Sequence, residues 1–389
     1  MTDNNLFSII PYKDQLIKLD EAVTAIAYYP HHIIDLLTGE KKSYDFNLWI
    51  AENQNRPLIV CEKNPRVIHL FYELGFLIEK EFELLSAETL LVIDIQFKSF
   101  HEIPTESTRA IQLESISIPE LSDYKKSFDL GYQELLKGNC YQFNLTYPYL
   151  YKFNETLKPY DFIFSLWKNE SARGAFGSAT YIPFLKKLFL SNSPECLFQF
   201  KEETLTSMPI KGTFKRNETD DWLPLWRKLL KDKKSQAELY MISDLLRNDL
   251  SQIELPVAQI IRKKFPKLVP GLLHQCSQID VKLSSSVNLW RVIEKIFPGG
   301  SITGAPKKRA MKLIHSLEKR ERGFYCGSTL ILFEKMVSAS INIRSSVVDF
   351  KNDTLLYQAG GGITLLSDAK IEFEEMTYKH NSFIHTLTR

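Results

Sequence analysis

The stretch Ser193–Thr213, SPECLFQFKEETLTSMPIKGT, is the one whose reading decides the fold. Two alternating apolar runs, SPECLFQF and TLTSMP, flank the polar residues Lys201 to Glu203. This pattern predicts an antiparallel β-hairpin whose register sets Glu195 opposite Met208 or Pro209. Lys211 then falls just past the returning strand, in a tight turn of small residues where a long cation is costly unless its amine has a task. An acid and an amine on one hairpin can serve as general acid and nucleophile. Taken alone, a surface salt bridge at a hairpin end is the simpler account.

Upstream, GNCYQFNLTYPYLYKF (138–153) is an aromatic-rich strand with Gln142 and Asn144 on one face and Tyr141, Phe143 and Leu145 on the other. A polar face in such a run either lines a cavity or belongs to a wet edge strand. A helix near PYDFIFSLWKN and strands at GSATYI and KKLFLS lead from there to the hairpin. Before it, a helical pattern from Tyr124 to Leu136 follows Pro119 and stops at Gly138, which suggests a boundary between residues 1–118 and 119–389. The first part has extended runs (AVTAIAYY, RPLIVCE, TLLVIDIQF) and a predicted helix around RVIHLFYEL, with no catalytic pattern.

Downstream, residues 228–250 read as one helix, with Glu238 on the stripe of Met241, Ile242, Leu245 and Leu246. A carboxylate on that face needs a metal ion or a cation, unless it sits at the margin near the helix start. LLHQCSQIDVKL is a strand carrying His274. In FPGGSITGAPKKRAMKLIHSLEKRERG, Gly299, Gly300 and Gly304 form a loop into a helix that Gly323 ends. Such a loop suits an anion. The phosphate-loop pattern fails at Ala305, where it requires lysine, so a carboxylate is the better ligand. A hairpin turning at Glu334 and Lys335 carries Arg344 on its second strand, and LLYQAGGGIT offers Gly360, Gly361 and Gly362 for close approach of a ligand. The last helix puts Glu372, Glu375 and Lys379 on one face, where Glu375 and Lys379 alone would be an ordinary surface pair. Carboxylates, cations and glycine turns together suit a small dianion held with Mg²⁺.

With 389 residues, 44% of them hydrophobic, the chain can bury a large core. Its 49 basic and 47 acidic residues give no reason to expect nucleic acid or an anionic membrane as partner. MTDNNLFSII lacks the pattern of a secretory leader and no apolar run reaches bilayer length, so a cytoplasmic protein is expected. The five scattered cysteines read as reduced, small, buried residues.

The ordered set GNCYQFNL, SPE, PIKGT, AELYMISDLLRNDL, FPGGSITGAPKKRAM, INIR, AGGGI and E-F-E-E-x-x-x-K resembles the chorismate-utilising enzymes over residues 119–389. The resemblance implies an α+β fold with two large, mostly antiparallel sheets packed face to face and helices outside. The lysine of PIKGT looks like the aminodeoxychorismate synthase branch, whereas anthranilate synthases typically carry alanine there. Isochorismate and salicylate synthases place a lysine base where this chain has Gln142. Lys211 would then attack C2 of chorismate with Glu195 as general acid, and His274 would match the pocket histidine. Glu238 and Glu375 would match Mg²⁺ ligands, with Glu372 close by. Gln142, Thr213, Thr303, Gly304, Tyr325, Arg344, Gly360, Gly361, Gly362 and Lys379 would hold the substrate. Ammonia would come from a separate glutamine amidotransferase subunit. Anthranilate synthesis, or a weakly catalytic subunit that mainly binds the amidotransferase, are the alternatives. Ser235, Leu330, Ile331, Ser338 and Leu366 depart from the family pattern, which raises the question of a weakened metal shell.

Overall fold

A computed structural model of the chain describes residues 5–388 apart from 13, 59–63, 107–109, 155, 169, 217–220, 256, 270–271 and 334–335. Among these residues every strand pairing is antiparallel. The long strand Gln15–Tyr28 is shared by two sheets. On one side it leads through Val92–Ile103, Arg66–Leu70, Ser328–Phe333, Met336–Ser340, Cys196–Lys201 and Thr204–Met208 to Leu272–Lys282. On the other it leads through Phe7–Tyr12, Ser178–Ile182, Lys187–Ser191, Ser345–Asp349 and Thr354–Ile363 to Gln142–Lys152. The first 118 residues are therefore woven into both sheets.

The two sheets face each other across a shared core. Phe189 of one sheet meets Phe71 at 5.7 Å and Phe324 at 5.3 Å between ring centroids. His69 bridges the layers, bonding Thr329 Oγ1 and Thr180 Oγ1 at 2.9 Å each. Helices cover the outer faces. Leu121–Leu136, Pro159–Leu166, Lys307–Glu318 and Ala369–Thr388 pack on the second sheet. Phe46–Gln54, Lys233–Ser251 and Leu289–Ile296 pack on the first. The α+β arrangement of two facing sheets is thus the observed one.

Three local expectations change. Residues 66–70 form a strand, because Val67 and His69 point to the intersheet core while Ile68 and Leu70 point to the helical layer, and all are buried. A run that is apolar on both faces carries no period by which to separate strand from helix. The helix expected over 228–250 is two, Leu223–Lys231 and Lys233–Ser251, divided at Asp232, whose carboxylate caps the second by accepting from Ser235 N at 2.8 Å. The helix starting at Lys307 ends at Lys319 in the left-handed region, before Gly323. The turn at Glu334 and Lys335, much of RPLIVCE, and Cys61 lie outside the described residues. Cys140, Cys196, Cys276 and Cys326 are free and buried. Among the described residues no helix is long and apolar enough to cross a membrane.

Candidate active site

The hairpin forms with Cys196 opposite Met208 and a turn at Glu202 and Glu203, both at positive φ. Glu195 therefore sits one residue beyond, beside Pro209. Lys211 differs from expectation: it belongs to a further strand, Ile210–Lys215, paired with Leu272–Lys282. Ile210 faces Cys276 and Thr213 faces His274, so the Lys211 strand holds one residue more than its partner. Such a bulge re-aims a side chain. Gly212 makes it possible, at φ +82 with Leu229 and Ser235 only 2.8 Å from where a Cβ would stand. The Lys211 amine ends 3.7 Å from the Cβ position of Gly362, and the Gln142 amide nitrogen lies 2.7 Å from the same point. Lys211, Gln142 and Gly362 thus meet at one place.

Glu195 is 5% exposed and its Oε1 has no hydrogen-bond partner. Burial pushes its carboxyl pKa up, opposed by Lys211, by Ser301 and, in smaller part, by Lys267 and Lys379. A carboxyl group in this setting can carry a proton to a leaving group. His274 bonds Thr213 Oγ1 through Nδ1 at 2.8 Å and leaves Nε2 buried and unpartnered. Burial, helped by Arg344 and Lys267, lowers its pKa to about 3, so the ring is a neutral imidazole. Arg344 is not on a strand but in a bend at φ +51, a conformation that residues rarely hold without structural constraint. Its guanidinium, whose pKa burial lowers, lies near Tyr357 and Tyr378 and makes no ion pair among the described residues. A desolvated cation of this kind attracts a carboxylate ligand.

The acidic residues come from two helices. Glu372 on the last helix is 2% exposed and accepts a hydrogen bond from Lys234, whose ammonium also lies 3.8 Å from Glu238 Oε1. Burial raises the Glu238 pKa, against the pull of Lys211 and Lys234. Glu375 instead pairs with Lys379 at 2.8 Å, which holds its carboxyl at about 2. Among the described residues no three acidic, histidine or cysteine side chains converge at ligand spacing. Glu238 and Glu372 nonetheless share one cation, and carboxylate oxygens are the donors Mg²⁺ prefers, so this pair fits a hard divalent ion in chemistry.

Lys379 also donates to Gly360 O at 2.9 Å, tying the last helix to the glycine strand. A Cβ on Gly361 would lie 3.4 Å from Glu372 Oε2, so the middle glycine faces the acidic pair. Thr303 lies inside the glycine loop, donating to Gly299 O at 2.9 Å while its carbonyl accepts from Asn144 N at 2.8 Å. Gly304, at φ +145, approaches Gln142 O so closely that a Cβ would lie at 2.1 Å. The loop thus packs against the Gln142 strand instead of leading openly into a helix. Tyr325 is buried in the first helical layer, near Cys326 and Tyr357.

The departures from the family pattern lie mostly away from these groups. Leu330 is in the core and Ser338 pairs with Gln199 and Ile331. Leu366 is exposed. Ser235 lies beneath Gly212, its Cβ 2.8 Å from where a Cβ on that glycine would stand.

Sequence reasoning missed Lys234, Lys267 and the Glu318–Arg322 pair. Lys267 lies opposite His274 in the Gln259–Val269 strand, donates to Pro194 O at 3.2 Å and covers the Phe176 ring at 5.3 Å. It thereby fixes the residue before Glu195. Arg322 and Glu318, both buried, pair at 2.8 Å, and Arg322 also donates to Ile302 O and Asn144 O, joining the glycine loop to the Gln142 strand. Helical spacing made Lys234–Glu238 findable as an i,i+4 pair, whereas Arg322 lies beyond the helix end and reaches Glu318 through the turn that follows it. No local signal marked Lys267.

The family model for chorismate binding enzymes matches residues 75–385. Over 288 residues the chain is 34% identical to an uncharacterised PabA-like protein of Haemophilus influenzae, covering 71% of this chain and 80% of that protein. It is 33% identical over 273 residues to aminodeoxychorismate synthase component 1 of Salmonella typhimurium, covering 68% of this chain and 57% of that protein, little more than half its length. In structure it is similar to anthranilate synthase component I of Streptococcus pneumoniae, with a TM-score of 0.76 at 20% identity over 96% of this chain and 93% of that one. Matched over residues 75–385, the chain belongs to the chorismate-binding enzyme family.

Proposed function

We propose that this chain aminates chorismate at C4, as the first component of an aminodeoxychorismate synthase, using ammonia from a separate glutamine amidotransferase subunit. The observation that carries the reading is the Lys211 amine, aimed by a bulge towards Gln142 and Gly362 and coupled to the buried carboxyl of Glu195. In its unprotonated form the amine forms a bond to C2 of chorismate. The ring double bonds shift and the C4 hydroxyl leaves as water with the proton of Glu195. Ammonia then adds at C4, the double bonds shift back and Lys211 departs, so one difficult displacement becomes two easier ones. Gln142 is an amide and cannot be the base that activates water at that position. Arg344 and the neutral His274 suit binding of substrate carboxylate and hydroxyl groups, and Lys379 and the glycine strand bound the other side. Glu238 and Glu372, with Glu375 nearby, would hold Mg²⁺, which supplies charge neutralisation for a substrate carboxylate.

The test supplies purified chain with chorismate, Mg²⁺ and an ammonium salt. The expected product becomes p-aminobenzoate only after a lyase is added. Fluorescent anthranilate with pyruvate release overturns the proposal in favour of anthranilate synthesis, and turnover without ammonia overturns it in favour of isochorismate formation. Lys211→Ala should abolish ammonia-dependent turnover while chorismate still binds; unchanged function in that variant would mean that the chain serves mainly to bind its partner.

A further inference from the structure

The Lys233–Ser251 helix is fixed at its start by the Asp232 cap, so Lys234 leaves it in the first turn. Its ammonium crosses to the last helix and binds Glu372 Oε1, 138 residues away, with Glu238 Oε1 at 3.8 Å on the other side. Glu372 is almost fully buried, whereas the Lys234 side chain is 32% exposed and has a route to solvent. A divalent ion using the same Glu372 oxygen would sit about 2 Å from it. An ion that takes up the lone pair now bonded to the ammonium needs the ammonium to leave it, since two cations cannot share it. Lys211 and Lys379 face the same carboxylates from the neighbouring strand and from the last helix, so the charges of Glu238, Glu372 and Glu375 are already met by three lysines.

We propose that Lys234 is the resident counter-cation of the Glu238–Glu372 pair, so that a divalent ion loads only by exchange with its ammonium and Lys234 sets the affinity for that ion. The inference rests on the reading of Glu238 and Glu372 as the divalent site. The exchange keeps the buried Glu372 compensated when no metal is bound, which an isolated carboxylate in that position would not be. It also weakens metal binding by whatever the lysine contributes to the metal-free state.

The test measures Mn²⁺ binding to the full chain without substrate, from the electron paramagnetic resonance signal of free Mn²⁺, for the wild type, Lys234→Met, Lys234→Arg and Glu372→Gln. Lys234→Met keeps the stem and removes the charge, and is expected to bind Mn²⁺ about tenfold tighter or more than wild type. Lys234→Arg should stay near wild type or bind more weakly. Thermal melting with and without Mn²⁺ reads the same exchange, and the gain on adding Mn²⁺ should be larger in Lys234→Met. Equal affinity in wild type and Lys234→Met, lost in Glu372→Gln, keeps the site and overturns the exchange. No Mn²⁺ binding by Lys234→Met at all overturns both.

Discussion

Replacing Gly362 by alanine is the sharpest single perturbation of the candidate site. The backbone there is not left-handed, so alanine adds only a methyl group. That methyl would lie 2.7 Å from Gln142 Nε2 and 3.3 Å from its Cδ, with the Lys211 amine next at 3.7 Å. Ordinary carbon contacts begin near 3.5 Å, so the Gln142 amide must retreat by about 1 Å. Gln142 is 2% exposed and has little room to do so. Overpacking of this kind costs about 1–3 kcal/mol, partly offset by the lower entropy of the unfolded alanine chain. A displacement of about 1 Å beside the reacting groups corresponds to a loss on the order of 10²-fold in rate. The neighbours grade the effect. In Gly361→Ala the methyl meets Glu372 Oε2 at 3.4 Å and Lys379 Nζ at 3.9 Å, ordinary contacts, and activity should stay within a few-fold of wild type. In Gly360→Ala it meets the Leu145 carbonyl oxygen at 2.2 Å, which only opening of the strand pair can relieve, so folding should fail first. Ammonia-dependent kcat and KM together with thermal melting separate the three. Wild-type kcat/KM in Gly362→Ala, or a larger loss in Gly361→Ala, refutes the reasoning.

Three further outcomes follow from the same geometry. Lys267→Met removes a positive charge that pulls down the Glu195 pKa, so the basic limb of the kcat–pH profile should move to higher pH, and Lys267→Arg should restore it; an unmoved limb in Lys267→Met means that Lys267 does not act on Glu195. Burial raises the Glu73 pKa to about 7, so wild-type stability is fully present below its unfolded value near 4.5 and is lost as pH rises through 7. Glu73→Gln should therefore gain on wild type across that window, by about 3 kcal/mol at pH 8, in denaturant melts; a difference independent of pH contradicts this. Glu318→Gln strips the partner from the buried Arg322 guanidinium and should cost about 3–5 kcal/mol, read as a lowered thermal midpoint; a loss below about 1 kcal/mol would show that Arg322 is satisfied by its carbonyl partners.

The hairpin around Glu195 was legible because its two strands alternate and its turn is polar, and its observed register has Cys196 opposite Met208. The strand through Gln142 and the helices starting at Leu121 and Ala369 were legible for the same reason of period. Residues 66–70 were not, since burial on both faces erases the period. The aim of Lys211 was hidden as well. It depends on one extra residue between Ile210 and Thr213, visible only once the partner strand is known. Lys234 and Lys267 owe their significance to Glu372 and Pro194, partners 138 and 73 residues away in sequence. Spacing pairs Lys234 only with Glu238, as it would on any solvated helix face, and nothing in the local sequence singles out Lys267.

The charges of the site constrain how a metal and a substrate can arrive. Glu238, Glu372 and Glu375 are matched by Lys211, Lys234 and Lys379, while burial pushes Glu195 towards its neutral form and Arg344 and Lys267 have no carboxylate partner among the described residues. Positive charge therefore exceeds negative in this region. A divalent ion entering alone and displacing the Lys234 ammonium adds one net charge, so it binds without substrate but less tightly than with a dianion present. A dianion entering alone would cancel it. Metal and dianion entering together, with the Lys234 ammonium swinging out, lower the excess by one charge, because the dianion cancels the ion and the ammonium leaves. The same cations that make the pocket attractive to a dicarboxylate thus weaken metal binding in its absence, and the half-buried stem of Lys234 is the part of the cluster with a route to solvent.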